Sequence, residues 1–243
     1  MADINKVDTT YDFSEDYYKG LDPDKDNKIL RNWHKILWEK KLPGKDIVFT
    51  LVKKKYGFVH SSNLGEYYLT SDSIVPTYSR QKNSITNIIN QFPKEEIDDF
   101  FRIASRIGAY ILFPGNRIGM AQTINGARGF RVKIADRFDL TLECIRLCYS
   151  GDIDPKTNPL GEVIYRYNNF FALFNNFKGY CEYFLLQDLT IDNFSKVNFF
   201  LPFNGFNTKA CPSSVDEYRV YKEKSIEFVN NRNSRIKYYL EKN

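Results

Sequence analysis

Residues 160–177, LGEVIYRYNNFFALFNNF, carry the pattern that decides the fold. Leu160, Val163, Ile164, Tyr167, Phe170, Phe171, Phe174 and Phe177 recur at helical spacing. That period predicts one core helix of about five turns. Downstream, Tyr180–Leu186 and Val197–Phe203 read as strand or buried helix, and an amphipathic helix is expected over 214–240. Upstream, helices are expected at 27–39, from Pro93 along the stripe Ile97, Phe100, Phe101, Ala104 and Ile107, and from near Ala135. Tyr110–Phe113 reads as a strand or buried run, and a polar passage to Gly129 follows it. The β-branched and aromatic runs 47–52, 56–60 and 66–70 alone read as a meander. The expected class is α+β, a small antiparallel β region at 45–75 packed on a mainly helical body over 94–243.

A chain of 243 residues can bury a large core without staples, so one globular domain over 1–243 is expected, opening with an acidic segment at 1–27. Its hydrophobic share of 42% and aromatic share of 16% exclude a disordered chain. The opening MADINKVDTTYDF has neither a basic nor an apolar leader region, and no apolar run reaches membrane-spanning length. A cytoplasmic protein is therefore expected, with Cys144, Cys148, Cys181 and Cys211 reduced and no membrane contact.

The net charge of +5 is unevenly placed. Residues 1–30 are acidic, whereas 31–60 and 101–150 are basic, and the second basic zone draws its charge almost wholly from arginine. Arg102, Arg106, Arg117, Arg128, Arg131, Arg137 and Arg146 stand there with Lys133 as the one lysine. A guanidinium presents a planar fork suited to phosphate or carboxylate. In Asn125-Gly126-Ala127-Arg128-Gly129, small residues let backbone amides approach an anion, although the glycine spacing is not that of a phosphate-binding P-loop or a dinucleotide fingerprint. Arg117, Asn125, Arg128, Arg131 and Arg137 are the candidate anion-binding set, for a phosphate-bearing partner that is a nucleic acid or a nucleotide. Ion pairs within the helix, Asp139 and Glu143 beside Arg146, compete for this charge.

An enzyme, a toxin or phage-defence effector acting on a nucleotide or nucleic acid, is the alternative. Here His60 closes a strand before the polar turn Ser61–Gly65 and serves as general base with Asp72 or Glu66 orienting it. His34, between Trp33 and Ile36, reads as structural. Asp22–Asn27 mimics the opening of a calcium loop, but Asn27 stands where glycine is needed and Trp33 where the closing Glu belongs, so a helix cap is expected. No metal or cofactor signature is present, and a protein partner or homo-oligomer remains compatible with the pattern.

The strings ARGFRVKIADRFDLTLECIRLCYSG (127–151), YRYNNFFALFNNFKGYCEYFLLQDL (165–189) and VNFFLPF (197–203) resemble a bacterial family, a domain of unknown function. The resemblance covers roughly residues 60–205. It implies a bacterial or phage-associated origin and a single unit, and it brings no activity, cofactor or catalytic residue with it.

Overall fold

A computed structural model describes residues 7–44, 50–54, 57–62, 65–79, 85–115, 123–207 and 209–242. The acidic opening forms two short helices, α1 (Ser14–Tyr18) and α2 (Pro23–Asp26), the second within the Asp22–Asn27 run that reads as a loop from sequence. Asn27 then caps α3 (Lys28–Trp38), its side-chain oxygen accepting from the amides of Ile29 and Leu30 at 2.8 and 3.2 Å. This is the cap expected in place of a calcium loop.

Strands β1 (Thr50–Lys54), β2 (Gly57–Ser62) and β3 (Gly65–Ser73) make the anticipated meander. After α4 (Thr86–Ile89) and α5 (Lys94–Ile103), β4 (Tyr110–Pro114) returns to the sheet and pairs antiparallel with β3, Asp72 opposite Ile111. The sheet is thus four strands in the order β1-β2-β3-β4. Every residue of β4 is buried, which fits its continuous apolar run.

Residues 124–130, read as part of a polar passage, form α6 (Ile124–Phe130), opened by the Thr123 hydroxyl accepting from the Gly126 amide at 3.1 Å. Ile124, Ala127 and Arg128 are its buried face. The next helix, α7 (Phe138–Tyr149), starts three residues later than Ala135 because Ala135 and Asp136 hold left-handed backbone, φ +46° and +65°.

The five-turn helix expected over 160–177 is instead α8 (Gly161–Tyr165), α9 (Asn168–Ala172) and the start of α10 (Phe177–Tyr183). Tyr167 leaves helical geometry at φ −106°, ψ 24°, and Asn175 turns left-handed at φ +65°. Asn176 then caps α10 by accepting from the Gly179 amide. Asparagine tolerates the first role and favours the second, so after α9 ends at Ala172 the Asn175-Asn176 pair redirects the chain and starts α10. The eight apolar residues of the stripe are nevertheless all buried. Tyr180–Leu186 resolves mainly into α10. The 187–203 stretch holds a 3-10 turn (Gln187–Leu189) and a two-stranded ribbon, β5 (Thr190–Ile191) with β6 (Lys196–Val197).

The last element, α11 (Val215–Lys242), lays Tyr218, Tyr221, Phe228, Val229, Arg232, Ile236 and Leu240 against one core cluster that runs from Phe13 to Leu240. Gly108 lets it approach, since a Cβ there would lie 2.5 Å from the Val229 carbonyl oxygen. All four cysteines are unbridged, and burial pushes the Cys144 and Cys181 thiols well up. Among the described residues no helix is long and apolar enough to cross a membrane.

Candidate functional site

Three of the residues singled out by sequence meet beside β3. Arg128, on α6, is fully buried between the rings of Phe113 and Phe138, its guanidinium carbon 5.3 and 5.9 Å from their centroids. Its Nη1 donates to Asp72 at 2.5 Å, Nη2 to the Asp136 carbonyl oxygen at 2.5 Å, and Nε to the Thr141 hydroxyl at 3.0 Å. An open cleft of about 490 Å³ lies in front of it, lined by Thr70, Asp72, Thr123, Asn125, Phe130 and Asp136. Asp72 and Asp136 also line a smaller cleft of about 220 Å³ beside Tyr78 and Phe101. The two carboxylates therefore stand between the clefts and share one buried cation.

Three left-handed non-glycine residues, Tyr78, Ala135 and Asp136, gather there, and the Tyr78 hydroxyl donates to the Ala135 carbonyl at 2.8 Å. Such backbone is held only where the surroundings over-determine it. The arrangement does not offer Arg128 to an anion. A phosphate entering the larger cleft meets the part-exposed carboxylates of Asp72 and Asp136, both acceptors.

A second cleft, about 410 Å³, opens on the other side of the 131–137 segment. Lys133, Arg137, Lys209, Phe203, Phe206 and Glu217 are among its lining residues. Arg137 forms the floor, 3% exposed, with Nε and Nη2 on Asp139 at 3.1 and 2.5 Å and Nη1 on the Ala210 carbonyl at 2.8 Å. Asp139, itself fully buried, also accepts from the Phe200 amide. That charge is balanced from behind. Lys133 and Lys209 are exposed at the mouth, and neither has an ion pair or hydrogen bond among the described residues. Glu217 accepts from the amide and hydroxyl of Ser213, which together hold its carboxyl below the usual range. Two free lysines against one carboxylate leave the mouth net positive. The aromatic wall is preformed: Phe203 stacks on Phe199 at 4.2 Å and meets Phe206 edge-on at 4.8 Å, while Phe206 is itself left-handed at φ +64°.

The remaining arginines of the basic zone are engaged elsewhere. Arg102 pairs with Asp99, Arg106 bonds Asn230, Arg131 donates to the Pro159 carbonyl at 2.5 Å, and Arg146 holds Glu143 through two bonds of 2.7 Å. Of the suggested helical pairings, Arg146 takes Glu143 as expected, but Asp139 turns to Arg137. Arg117 lies outside the described residues. The pairing of His60 with Asp72 does not form a site. The register sets His60 opposite Tyr67, five positions along β3 from Asp72, about 17 Å at a strand rise of roughly 3.3 Å. Glu66 lies opposite Ser61, one position from His60, and both side chains fall outside the described residues. Among the described residues no group of three or more His, Cys, Asp or Glu side chains is arranged to hold a metal ion.

Sequence reasoning passed over Lys133, Lys209, Phe203 and Phe206. Lys133 was visible as the one lysine in an arginine zone, and the dense phenylalanines at 199–206 were visible as composition. Nothing in spacing links Lys209 to either.

A family model described as a family of unknown function (DUF6994) matches residues 7–236. No curated protein and no solved structure matches the chain.

Proposed function

The chain belongs to the DUF6994 family, and we propose that it binds a small phosphate-bearing aromatic ligand, a nucleotide, in the cleft of Lys133, Arg137 and Lys209. The observation that carries this reading is the pair of exposed lysines converging, without partners among the described residues, on an aromatic-walled cleft. Ammonium groups there attract phosphate as point charges, and the edge of Phe203 or Phe206 gives a base an apolar surface. A volume of about 410 Å³ suits a mononucleotide better than a duplex. The phosphate reading of the basic zone thus moves from Arg128, whose three nitrogens are all engaged, and Arg131, held through Nη1 by the Pro159 carbonyl, to lysines at the mouth. The catalytic alternative rested on His60 with Asp72 or Glu66 orienting it; the register keeps Asp72 apart, and the side chains of His60 and Glu66 lie outside the described residues, so binding, which the lysine cleft supports, is the reading preferred.

Calorimetric titration with a panel of mononucleotides, and with single-stranded oligonucleotides as a second arm, tests the proposal. Lys133→Ala with Lys209→Ala should weaken mononucleotide binding by roughly 10- to 100-fold, the loss of two largely solvent-exposed charge-assisted contacts. Both sites are exposed, so folding should be unaffected. If the parent binds no mononucleotide, or the double variant binds as tightly, the assignment is lost. Tight oligonucleotide binding with a steep salt slope and no mononucleotide binding would replace it with a nucleic-acid surface.

A further inference from the structure

The C-terminal turns of α11 and the turn at 185–188 together line an open cleft of about 660 Å³. Gln187, Asp188, Asn231, Arg235, Tyr238 and Tyr239 are among its lining residues. It stands apart from the lysine cleft, since Glu217 of that cleft lies about 27 Å along α11 from Arg235 at a helical rise of roughly 1.5 Å per residue.

The charges of this cleft are already engaged. Arg235 Nε and Nη2 donate to the two oxygens of Asp188 at 2.6 and 2.9 Å, a bidentate pair that neutralises both. The ammonium of Lys242, another lining residue, sits 5.6 Å from the Tyr238 ring centroid. The amides are not engaged. Gln187 Oε1 is buried without a partner, and neither its Nε2, the Asn231 amide nor the Tyr238 hydroxyl bonds to a described residue. A buried acceptor left without a donor costs free energy, and turning the Gln187 amide over only exchanges which end lacks a partner. Two tyrosines supply the apolar surface. Tyr239 is half-buried and meets Trp33 edge-on at 6.2 Å, while Tyr238 is 62% exposed.

These features exclude ligand classes in turn. An anion finds the Arg235 fork closed on a carboxylate, and a cation finds both Asp188 oxygens occupied with Lys242 nearby to repel it. A hydrocarbon would desolvate the amides of Gln187 and Asn231 and leave them unpaired. A side-chain amide carries donor and acceptor side by side, which matches a ligand whose own groups do the same. Vicinal hydroxyls on a ring with apolar C–H faces meet that description. We propose that this cleft binds a neutral saccharide of one or two rings, with the amides of Gln187 and Asn231 bonding its hydroxyls and the Tyr238 ring covering a C–H face. The volume falls within the range of small-ligand sites, about 300–1,000 Å³. The site does not depend on nucleotide binding in the lysine cleft.

The test is calorimetric titration of the full chain with glucose, galactose, N-acetylglucosamine, maltose, cellobiose and lactose, and with glucuronate as the acidic counterpart. At least one neutral sugar should bind saturably with Kd below about 5 mM, and glucuronate no more tightly than glucose. Tyr238→Ala should weaken that binding roughly tenfold and Asn231→Ala roughly three- to tenfold, while Lys242→Ala should leave it within about twofold. All three positions are exposed on α11, so each variant should fold, with an unchanged Tm as the check. Absence of sugar binding up to about 20 mM overturns the proposal, as does affinity that survives both Tyr238→Ala and Asn231→Ala. Tighter binding of glucuronate, lost in Lys242→Ala, overturns it in favour of an acidic ligand.

Discussion

Replacing Arg128 with methionine separates the two roles an arginine can have here. The substitution keeps an unbranched side chain between Phe113 and Phe138 and removes the guanidinium. The Thr141 hydroxyl and the Asp136 carbonyl each lose a donor, about 1 kcal/mol apiece. Two cation–π contacts go, together about 1 kcal/mol. Breaking a fully buried ion pair costs about 3–5 kcal/mol, but Asp72 and Asp136 keep 27% and 29% exposure and recover water, so about 1–2 kcal/mol is the share to assign. Against these stands the relief of burying no charge, together with good packing of the thioether. The balance is a loss of about 3 kcal/mol, readable as a lower urea midpoint with an unchanged m value. Mononucleotide affinity, measured where the variant is still folded, should match the parent. Stability within about 0.5 kcal/mol of the parent together with loss of ligand binding would refute this reasoning and return Arg128 to the ligand.

Phe174→Ala should cost about 3–5 kcal/mol, since its buried ring meets those of Phe170, Tyr180, Tyr183 and Phe184 at 5.0–5.4 Å and the neighbours cannot collapse into the space; differential scanning calorimetry checks it. His34 should make the fold acid-sensitive. Its folded-state pKa, about 3, lies below the unfolded value of 6.5, so the unfolded chain takes up the proton first and stability falls as pH drops from about 6.5 towards 3, by at most about 1.4 kcal/mol per pH unit. His34→Gln should flatten that limb by one proton's worth; equal slopes in parent and variant between pH 6.5 and 4 would sink the assignment.

What the sequence made legible was whatever rests on local periodicity or on a cap. The meander, α3 behind Asn27, α5 behind Pro93 and α11 follow from patterns confined to a single element. The stripe of 160–177 predicted burial correctly at all eight positions and continuity wrongly, because burial depends on which residues are apolar, whereas continuity depends on Tyr167 and the Asn175-Asn176 pair leaving helical backbone. The same distinction explains the site. Arginine density is a property of composition, yet whether a guanidinium meets solvent is set by partners far along the chain: Asp72 for Arg128, Ala210 for Arg137, Pro159 for Arg131. Those partners are joined only when α6 and the left-handed Ala135-Asp136 turn bring the 123–139 segment against β3 and the 199–217 region, and neither device has a periodic signature. Arginine's five donors suit it to exactly this cross-linking of carbonyls and carboxylates in a core, while lysine, with a single ammonium that strongly prefers water, stays at the rim. An arginine-rich, lysine-poor stretch inside an aromatic chain therefore reads first as interior wiring, and the lysine that interrupts it is the better candidate for meeting a ligand.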